Sequence, residues 1–163
     1  MKRDRFFHIL RFLHFTANRN EPDMTDENSD RLWKTRNVFD ILKKKFSKFY
    51  NPSEHLAVDE VIVKYKGRVI FRQYIPKKHK CFGIKLYKLC DETGYTYDMT
   101  IYLGRDRQRA AQHLTATHAK VSELTKNIQG RGHKLYMDNY FSPDLFNDLA
   151  TKQILTQQEG LAT

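Results

Sequence analysis

The sequence lacks the features that define several common protein classes. It has no uninterrupted apolar run of the ~18 residues that a transmembrane helix needs, so no membrane span is expected. It has only two cysteines, Cys81 and Cys90, too few for a disulfide framework or a four-ligand zinc site. We therefore expect no zinc site in this chain and a reducing intracellular compartment. It also contains no P-loop, no GxGxxG fingerprint and no nucleophile elbow.

Acidic residues are missing from one long segment, residues 61–90, in a chain whose formal net charge is +10. The segment contains nine basic residues: Lys64, Lys66, Arg68, Arg72, Lys77, Lys78, Lys80, Lys85 and Lys88. Lysine and arginine neutralise phosphates and release counterions, so nucleic acid is the favoured partner and an anionic membrane the second choice. A merely solvated sheet surface is the simpler alternative.

The predicted DNA contacts are Lys64, Lys66, Arg68, Arg72, Lys77, Lys78, Lys80 and Arg105, the last from a smaller arginine patch. The loop PKKHK (76–80) also resembles a short nuclear-localisation cluster, which favours the nucleus. Aromatic residues interleave with these cations at Tyr65, Phe71, Tyr74, Phe82 and Tyr87. Such side chains usually fill cores, but exposed ones can stack on unpaired bases.

The hydrophobic periodicity predicts a mixed α/β or α+β domain with N-terminal helices. Helices are predicted over 2–15, 33–50, 114–128 and 143–155, and strands over 55–65, 80–90, 95–104 and 134–141. An acidic segment, 20–30, reads as a solvated linker. The first strand is apolar on both faces and is expected to be central. We expect Leu114, Val121, Leu124 and Ile128 to point inward, and Ser142 to cap the last helix with its hydroxyl.

Two aspartates stand out from this pattern. Asp59 interrupts an apolar strand, where it must be paired, hydrogen-bonded or metal-bound because burying a bare carboxylate would be very costly, and this apolar environment favours a functional role. Strand parity directs Asp59 and Glu60 to opposite faces. Asp138 follows the strand before the last helix, a position where α/β sheets place ligands, although a turn aspartate that caps its own backbone is an equal alternative. Two carboxylates beside a basic surface are what metal-dependent phosphoryl transfer to or from DNA requires.

These same residues carry a resemblance to a known family. The segments RDRFFHILRFLHF, RLWKTRNVFDIL, HLAVDEVIVKYKGRVIFRQYIPKKHKCFGIKLYKLCDETGY and GHKLYMDNYFSPDLFNDL resemble, in order, the piggyBac transposases and their transposable-element-derived relatives. The resemblance implies an RNase H-like core that cuts and pastes DNA with three aspartates and Mg²⁺ or Mn²⁺. It assigns the first catalytic, metal-binding aspartate to Asp59 and the second to Asp138, and it is compatible with a homo-oligomer.

The chain also departs from that family's pattern. The third aspartate and the zinc-binding C-terminal region would lie beyond residue 163, and the tail 151–163 does not follow the expected continuation. We therefore expect a truncated transposase-derived chain with a helical region 1–54, a partial core 55–155 and a divergent tail 156–163. The strand before Asp138 is expected to have an exposed edge. Little or no transposition is expected, and the alternative function is a non-catalytic DNA-binding protein.

Overall fold

A computed structural model describes residues 1–17, 22, 23, 26, 29–76, 82–104, 116–138 and 141–158. The chain divides into two compact units, 1–44 and 45–163, which are described separately. Among the described residues, no helix is both long enough and apolar enough to cross a bilayer. The domain boundaries given by the sequence stay predictions.

The first unit contains helix α1, Arg3–Phe12, and the beginning of helix α2, Arg36–Phe49. Both helices were predicted, with ends a few residues further out. Asp30 anchors the start of α2, because its carboxylate accepts hydrogen bonds from the Leu32 backbone N–H at 3.0 Å and the Arg36 guanidinium at 2.6 Å. The hydrogen bond from Arg36 lowers the pKa of Asp30. The last residue of the predicted acidic linker therefore fixes a helix end.

The second unit is built on a mixed sheet. Its described strands are β1 His55–Lys64, β2 Gln73–Tyr74, β3 Phe82–Asp91, β4 Thr96–Ile101, β5 Lys134–Met137 and β6 Leu155–Gln158. The strand order is β2-β3-β1-β5-β6, and β4 also pairs with β3. Strand β1 is antiparallel to β3 and parallel to β5. The prediction that β1 is central is confirmed.

The predicted hairpin between β3 and β4 is also confirmed. Asp91 organises its turn by accepting hydrogen bonds from the backbone N–H groups of Thr93 and Tyr95, each at 3.0 Å, and from the Tyr50 hydroxyl. Gly94 has φ +83°, a conformation that side chains resist, so the glycine suits the turn.

One side of the sheet, the packed face, carries Leu56 and Val58 of β1 together with Tyr87 and Leu89 of β3. Helix α3, Ala116–Thr125, continues into a 3₁₀ turn, Lys126–Ile128, and helix α4 spans Pro143–Thr151. The core cluster is formed by residues that are nearly all fully buried: Leu56, Val58, Leu89, Tyr97, Val121, Ile128, Leu135, Met137, Phe141, Leu145, Leu149 and Ile154. The inward prediction is confirmed for Val121, Leu124 and Ile128, and Leu114 lies outside the described residues.

The other side of the sheet, the open face, carries Ala57, Asp59, Val61 and Val63 of β1. Period-2 alternation along the strand separates these residues from Leu56 and Val58. Side chains here are half-buried or exposed; Val63, for example, is 47% exposed.

The chain after Thr151 differs from the prediction of a helix reaching residue 155. The N–H of Ile154 donates to the Leu149 carbonyl at 3.2 Å and that of Gln153 to the Ala150 carbonyl at 3.1 Å. With Gln153 at φ +59°, this is a Schellman ending. It allows Ile154 to enter the core, where it is 1% exposed.

The residues that follow form β6, which pairs in parallel with β5. The expectation of an exposed β5 edge is therefore wrong, because residues 155–158 cover it. Ser142 does occupy the N-cap position of α4, with Pro143 at the start of the helix, but its hydroxyl makes no capping hydrogen bond. That part of the prediction is also wrong.

Candidate active site

The parallel pairing of β1 with β5 brings Asp59 and Asp138 together. The last paired positions are Val58 and Met137, and each aspartate is the next residue in its chain. Neighbouring strands lie about 4.8 Å apart, so the two Cα positions are adjacent. Val58 and Met137 both face the core, so both aspartates emerge on the open face.

Polar contacts near the start of the β1–β5 pair support the register of these two strands. The Lys134 N–H donates to the Glu54 carbonyl at 2.8 Å, while the Lys134 ammonium lies 2.7 Å from the Glu54 carboxylate. One step further along, His55 Nδ1 and the Tyr136 hydroxyl are 3.0 Å apart. Since a slip by one residue would reverse every side chain, this register determines that the aspartates share a face.

Both aspartates are exposed, which corrects the expectation that Asp59 sits in an apolar environment. The apolar residues that suggested burial, Val58 and Ile62, belong to the packed face. One Asp59 carboxylate oxygen accepts a hydrogen bond from the Glu60 backbone N–H at 2.7 Å. A solvent-facing carboxylate can exchange water for a cation or a phosphate-bound metal without the cost of ionising in a core.

Glu60 points to the packed face, as strand parity predicted. Its carboxylate lies 2.6 Å from the Lys85 ammonium, and the two side chains are 18% and 13% exposed. Burial alone would lower the pKa of Lys85, but hydrogen bonding with Glu60 and Tyr87 outweighs it, so the pKa is raised. Glu60 and Lys85 therefore neutralise each other away from the two aspartates.

Lys88 is the residue that β-strand pairing adds to the site. It lies directly opposite Asp59 in the antiparallel β1–β3 register and is half-buried. Directly opposed side chains share a face and have Cβ atoms about 5 Å apart. The sequence placed Lys88 in the basic segment but not beside an aspartate, because a sequence does not reveal which residues of two strands are opposed.

The two aspartates provide part of the ligand set that a hard divalent cation needs. Mg²⁺ is commonly held by one or two carboxylates, with water and substrate phosphate completing its shell. Asp59 on β1 and Asp138, the first residue after β5, could provide two such oxygen donors. Within the described ranges, no three His, Cys, Asp or Glu side chains gather into a larger ligand group.

Four of the predicted DNA-binding residues lie in the described part of the chain. Lys64, Lys66, Arg68 and Arg72 are all exposed, at the end of β1 and in the loop that leads to β2. Lys77, Lys78, Lys80 and Arg105 lie outside the described residues.

Two comparisons with known proteins bear on the family and the fold of this chain. A family model described as Transposase IS4 matches residues 1–156. The cryo-EM structure of a piggyBac transposase synaptic complex with hairpin DNA superimposes with a TM-score of 0.83 at 31% sequence identity. That match covers 97% of this chain and 33% of the other, so the chain spans about a third of the length of that transposase.

The comparison confirms the expected fold class, because the mixed α/β architecture is that of an RNase H-like transposase. With the family match extending over residues 1–156 and this fold at 31% identity, the chain belongs to the piggyBac-like transposases of the IS4 type.

Proposed function

We propose that this chain is a transposase-derived domain that binds DNA and contributes Asp59 and Asp138 to a metal-dependent phosphoryl-transfer site. The parallel register of β1 and β5, which sets the two aspartates side by side on the open face, carries the proposal. The transposase ancestry of this chain follows from its family match, whereas the roles of individual residues are part of the proposal.

Asp59 and Asp138 would hold Mg²⁺ or Mn²⁺ through carboxylate oxygens. A divalent cation bound there would stabilise negative charge on the oxygens of the reacting phosphate. Lys88 is placed to neutralise a further phosphate oxygen beside Asp59. Because Asp59 and Lys88 project from paired strands and Asp138 directly follows β5, a DNA backbone laid on the open face would meet a fixed arrangement of charges.

The cations Lys64, Lys66, Arg68 and Arg72 would hold the DNA backbone away from the reacting phosphate. Each phosphate contact contributes about one unit to the slope of log affinity against log salt. This contribution depends little on sequence, so these residues position the DNA without selecting its sequence. A nuclear location and self-association belong to the same proposal.

In the described part of the chain, no third His, Cys, Asp or Glu side chain joins Asp59 and Asp138 in a metal-ligand group. We expect the 163-residue polypeptide taken alone to bind Mn²⁺ weakly and DNA in a salt-dependent manner, with little or no cleavage. The competing function is non-catalytic DNA binding, which the exposed cations of residues 64–72 support equally. Metal dependence separates the two functions.

The test is calorimetric titration of the purified polypeptide with Mn²⁺. Asp59→Asn and Asp138→Asn are each expected to weaken binding about 10-fold or more, because each removes one of two anionic ligands. Glu60→Gln is the matched control, since it changes the adjacent acid on the packed face. Circular dichroism checks that every variant keeps its fold.

Equal Mn²⁺ affinity in all four proteins would refute the metal site. If salt-dependent DNA binding then persisted unchanged in Asp59→Asn, the non-catalytic function would stand in its place. If only Glu60→Gln lost metal binding, the metal site would have to be assigned to the packed face.

A further inference from the structure

Two aromatic side chains form an exposed pair at the start of β3. Tyr74 of β2 lies directly opposite Phe82 of β3, and their ring centroids are 4.6 Å apart with 31° between the planes. Tyr74 is 60% exposed and Phe82 is 51% exposed. Aromatic rings of this size usually bury most of their surface, so two adjacent exposed rings need an explanation.

The pair lies on the open face. Phe82 alternates in step with Ile84, Leu86 and Lys88 along β3, and Lys88 is opposite Asp59. Six residues at about 3.3 Å each separate Phe82 from the Lys88 position, a span of about 20 Å. A single DNA strand of a few nucleotides could therefore cross the open face and reach both places.

The surroundings of the pair are cationic. The Arg72 guanidinium lies 5.4 Å from the centroid of the Phe82 ring, and its Nη1 donates to the carbonyls of Lys66 and Gly67 at 3.4 and 3.3 Å. These backbone contacts orient the guanidinium against the ring. Lys64, Lys66 and Arg68 lie nearby in the same acid-free segment and are exposed.

We propose that Tyr74 and Phe82 form a stacking platform for an unpaired DNA base, with Arg72 and the neighbouring cations holding the adjoining phosphates. The proposal rests on the DNA-binding function proposed above and adds the form of DNA that this surface takes. An aromatic ring can stack only on the flat side of a base, which a continuous duplex covers with neighbouring base pairs. An unpaired base exposes that side, and its stacking is tolerant of sequence.

Charge complementarity favours DNA over a protein partner at this position. Exposed aromatic residues beside arginine also form hot spots between proteins. Residues 61–90 contain nine cations and no acidic side chain. Glu60 neutralises Lys85, but Lys64, Lys66, Arg68 and Arg72 are exposed near the aromatic pair and favour a partner with dense negative charge. A phosphate on each nucleotide supplies it.

The experiment measures binding of a 12-nucleotide single strand that carries one 2-aminopurine, and of the matching duplex, to the 163-residue polypeptide in EDTA. Stacking on a ring quenches 2-aminopurine fluorescence, and anisotropy of a terminal dye gives the affinity. Tyr74→Ala and Phe82→Ala are each expected to weaken single-strand binding about 10-fold and to remove the quenching, while changing duplex affinity less than about 2-fold. Tyr74→Phe is expected to retain both signals.

Phe49→Ala is the matched control. Phe49 is 72% exposed and lies near Lys45 and Lys48, with cation-to-ring distances of 5.2 and 5.9 Å. It therefore resembles Phe82 in exposure and charge but lies on α2. We expect this variant to bind both forms of DNA like the wild type.

The proposal is overturned if Tyr74→Ala and Phe82→Ala leave single-strand affinity unchanged, or weaken duplex binding as much as single-strand binding. It also fails if Phe49→Ala has the same effect as Phe82→Ala. Failure of the metal site looks different, because the assay contains no free divalent cation. Base quenching that depends on Tyr74, in a protein that binds no Mn²⁺, would keep the platform and reject phosphoryl transfer.

Discussion

The two faces of the sheet differ sharply although consecutive residues build them. Val58 is 3% exposed on the packed face, and the next residue, Asp59, is exposed on the open face. Met137 and Asp138 repeat this arrangement on the parallel neighbour, with Met137 1% exposed. The packed face holds the strands in register, and the open face uses that register to present charges. Stability and proposed function are thus divided between alternate residues of the same strands.

The largest effect is expected where the packed face has no room for one more carbon. A Cβ added at Gly83 would lie 2.3 Å from the Val63 carbonyl oxygen and 2.8 Å from Ile62 Cγ2. Gly83→Ala must therefore push β3 away from β1, and we expect it to lower the free energy of unfolding by about 3 kcal/mol. Urea denaturation measures the change.

Gly94→Ala is the control for this substitution. Gly94 has open space around its Cα, so only its φ of +83° opposes a side chain. The expected cost is about 1 kcal/mol. A cost at Gly83 no greater than at Gly94 would show that β1 and β3 are less closely apposed than described.

The comparison of the two faces is sharpest between two valines of β1. Val58→Ala removes two methyl groups from the core and is expected to lower the free energy of unfolding by about 2 kcal/mol. Val63→Ala makes the same chemical change on the open face, where the side chain is 47% exposed, and should cost less than about 1 kcal/mol. Equal losses in urea denaturation would mean that the open face is covered in solution.

A smaller effect concerns the helices that cover the packed face. Asp148 on α4 accepts hydrogen bonds at one carboxylate oxygen from Lys152 at 2.6 Å, His118 Nε2 at 3.1 Å and the Ser122 hydroxyl at 3.2 Å. The hydrogen bond from Lys152, followed by that from His118, lowers the pKa of Asp148 below its usual 3.8. This group therefore stabilises the fold above pH 3.8, and the contribution is lost as the pH falls through the lower folded-state value.

Asp148→Asn should be less stable than the wild type at pH 7, and the difference should shrink as the pH falls below about 4. Thermal denaturation at a series of pH values measures it. Lys152→Met removes the first hydrogen-bond donor to Asp148. The stability of this variant should therefore also fall less between pH 7 and pH 2 than that of the wild type. A difference that is constant between pH 7 and pH 2 would contradict the ionised hydrogen-bond network.

The smallest effect is a gain in stability. Gln153 ends α4 with φ +59°, a conformation that costs a non-glycine residue about 1–2 kcal/mol. Glycine adopts this conformation without strain, and its main cost is the larger conformational entropy that it loses on folding. Gln153→Gly is therefore expected to raise the free energy of unfolding by about 0.5 kcal/mol. Gln157→Gly in β6 is the control and should lower it by about as much. A loss in both variants would argue against the left-handed helix ending.

Much of this architecture can be read from local pattern. The β-branched run of β1 predicts a central strand, and Val121, Leu124 and Ile128 have the spacing of a buried helix face. Strand parity separates Asp59 from Glu60 correctly. Other predictions failed where distant residues compete with local preference. Ile154 leaves the helical pattern because the core offers it burial, and residues 155–158 then pair with β5 rather than leaving its edge exposed.

The sequence by itself determined the transposase ancestry, the basic segment and the two aspartates as the residues of interest. It could do so because residue types, charge and period-2 alternation are local properties. Only the tertiary structure decided that both aspartates are exposed, that they are neighbours, that Lys88 is opposite Asp59, and that Tyr74 pairs with Phe82 on the same face. Each of these depends on the register between strands that are distant in the chain, and register is set by packing and cross-strand contacts that no local pattern encodes.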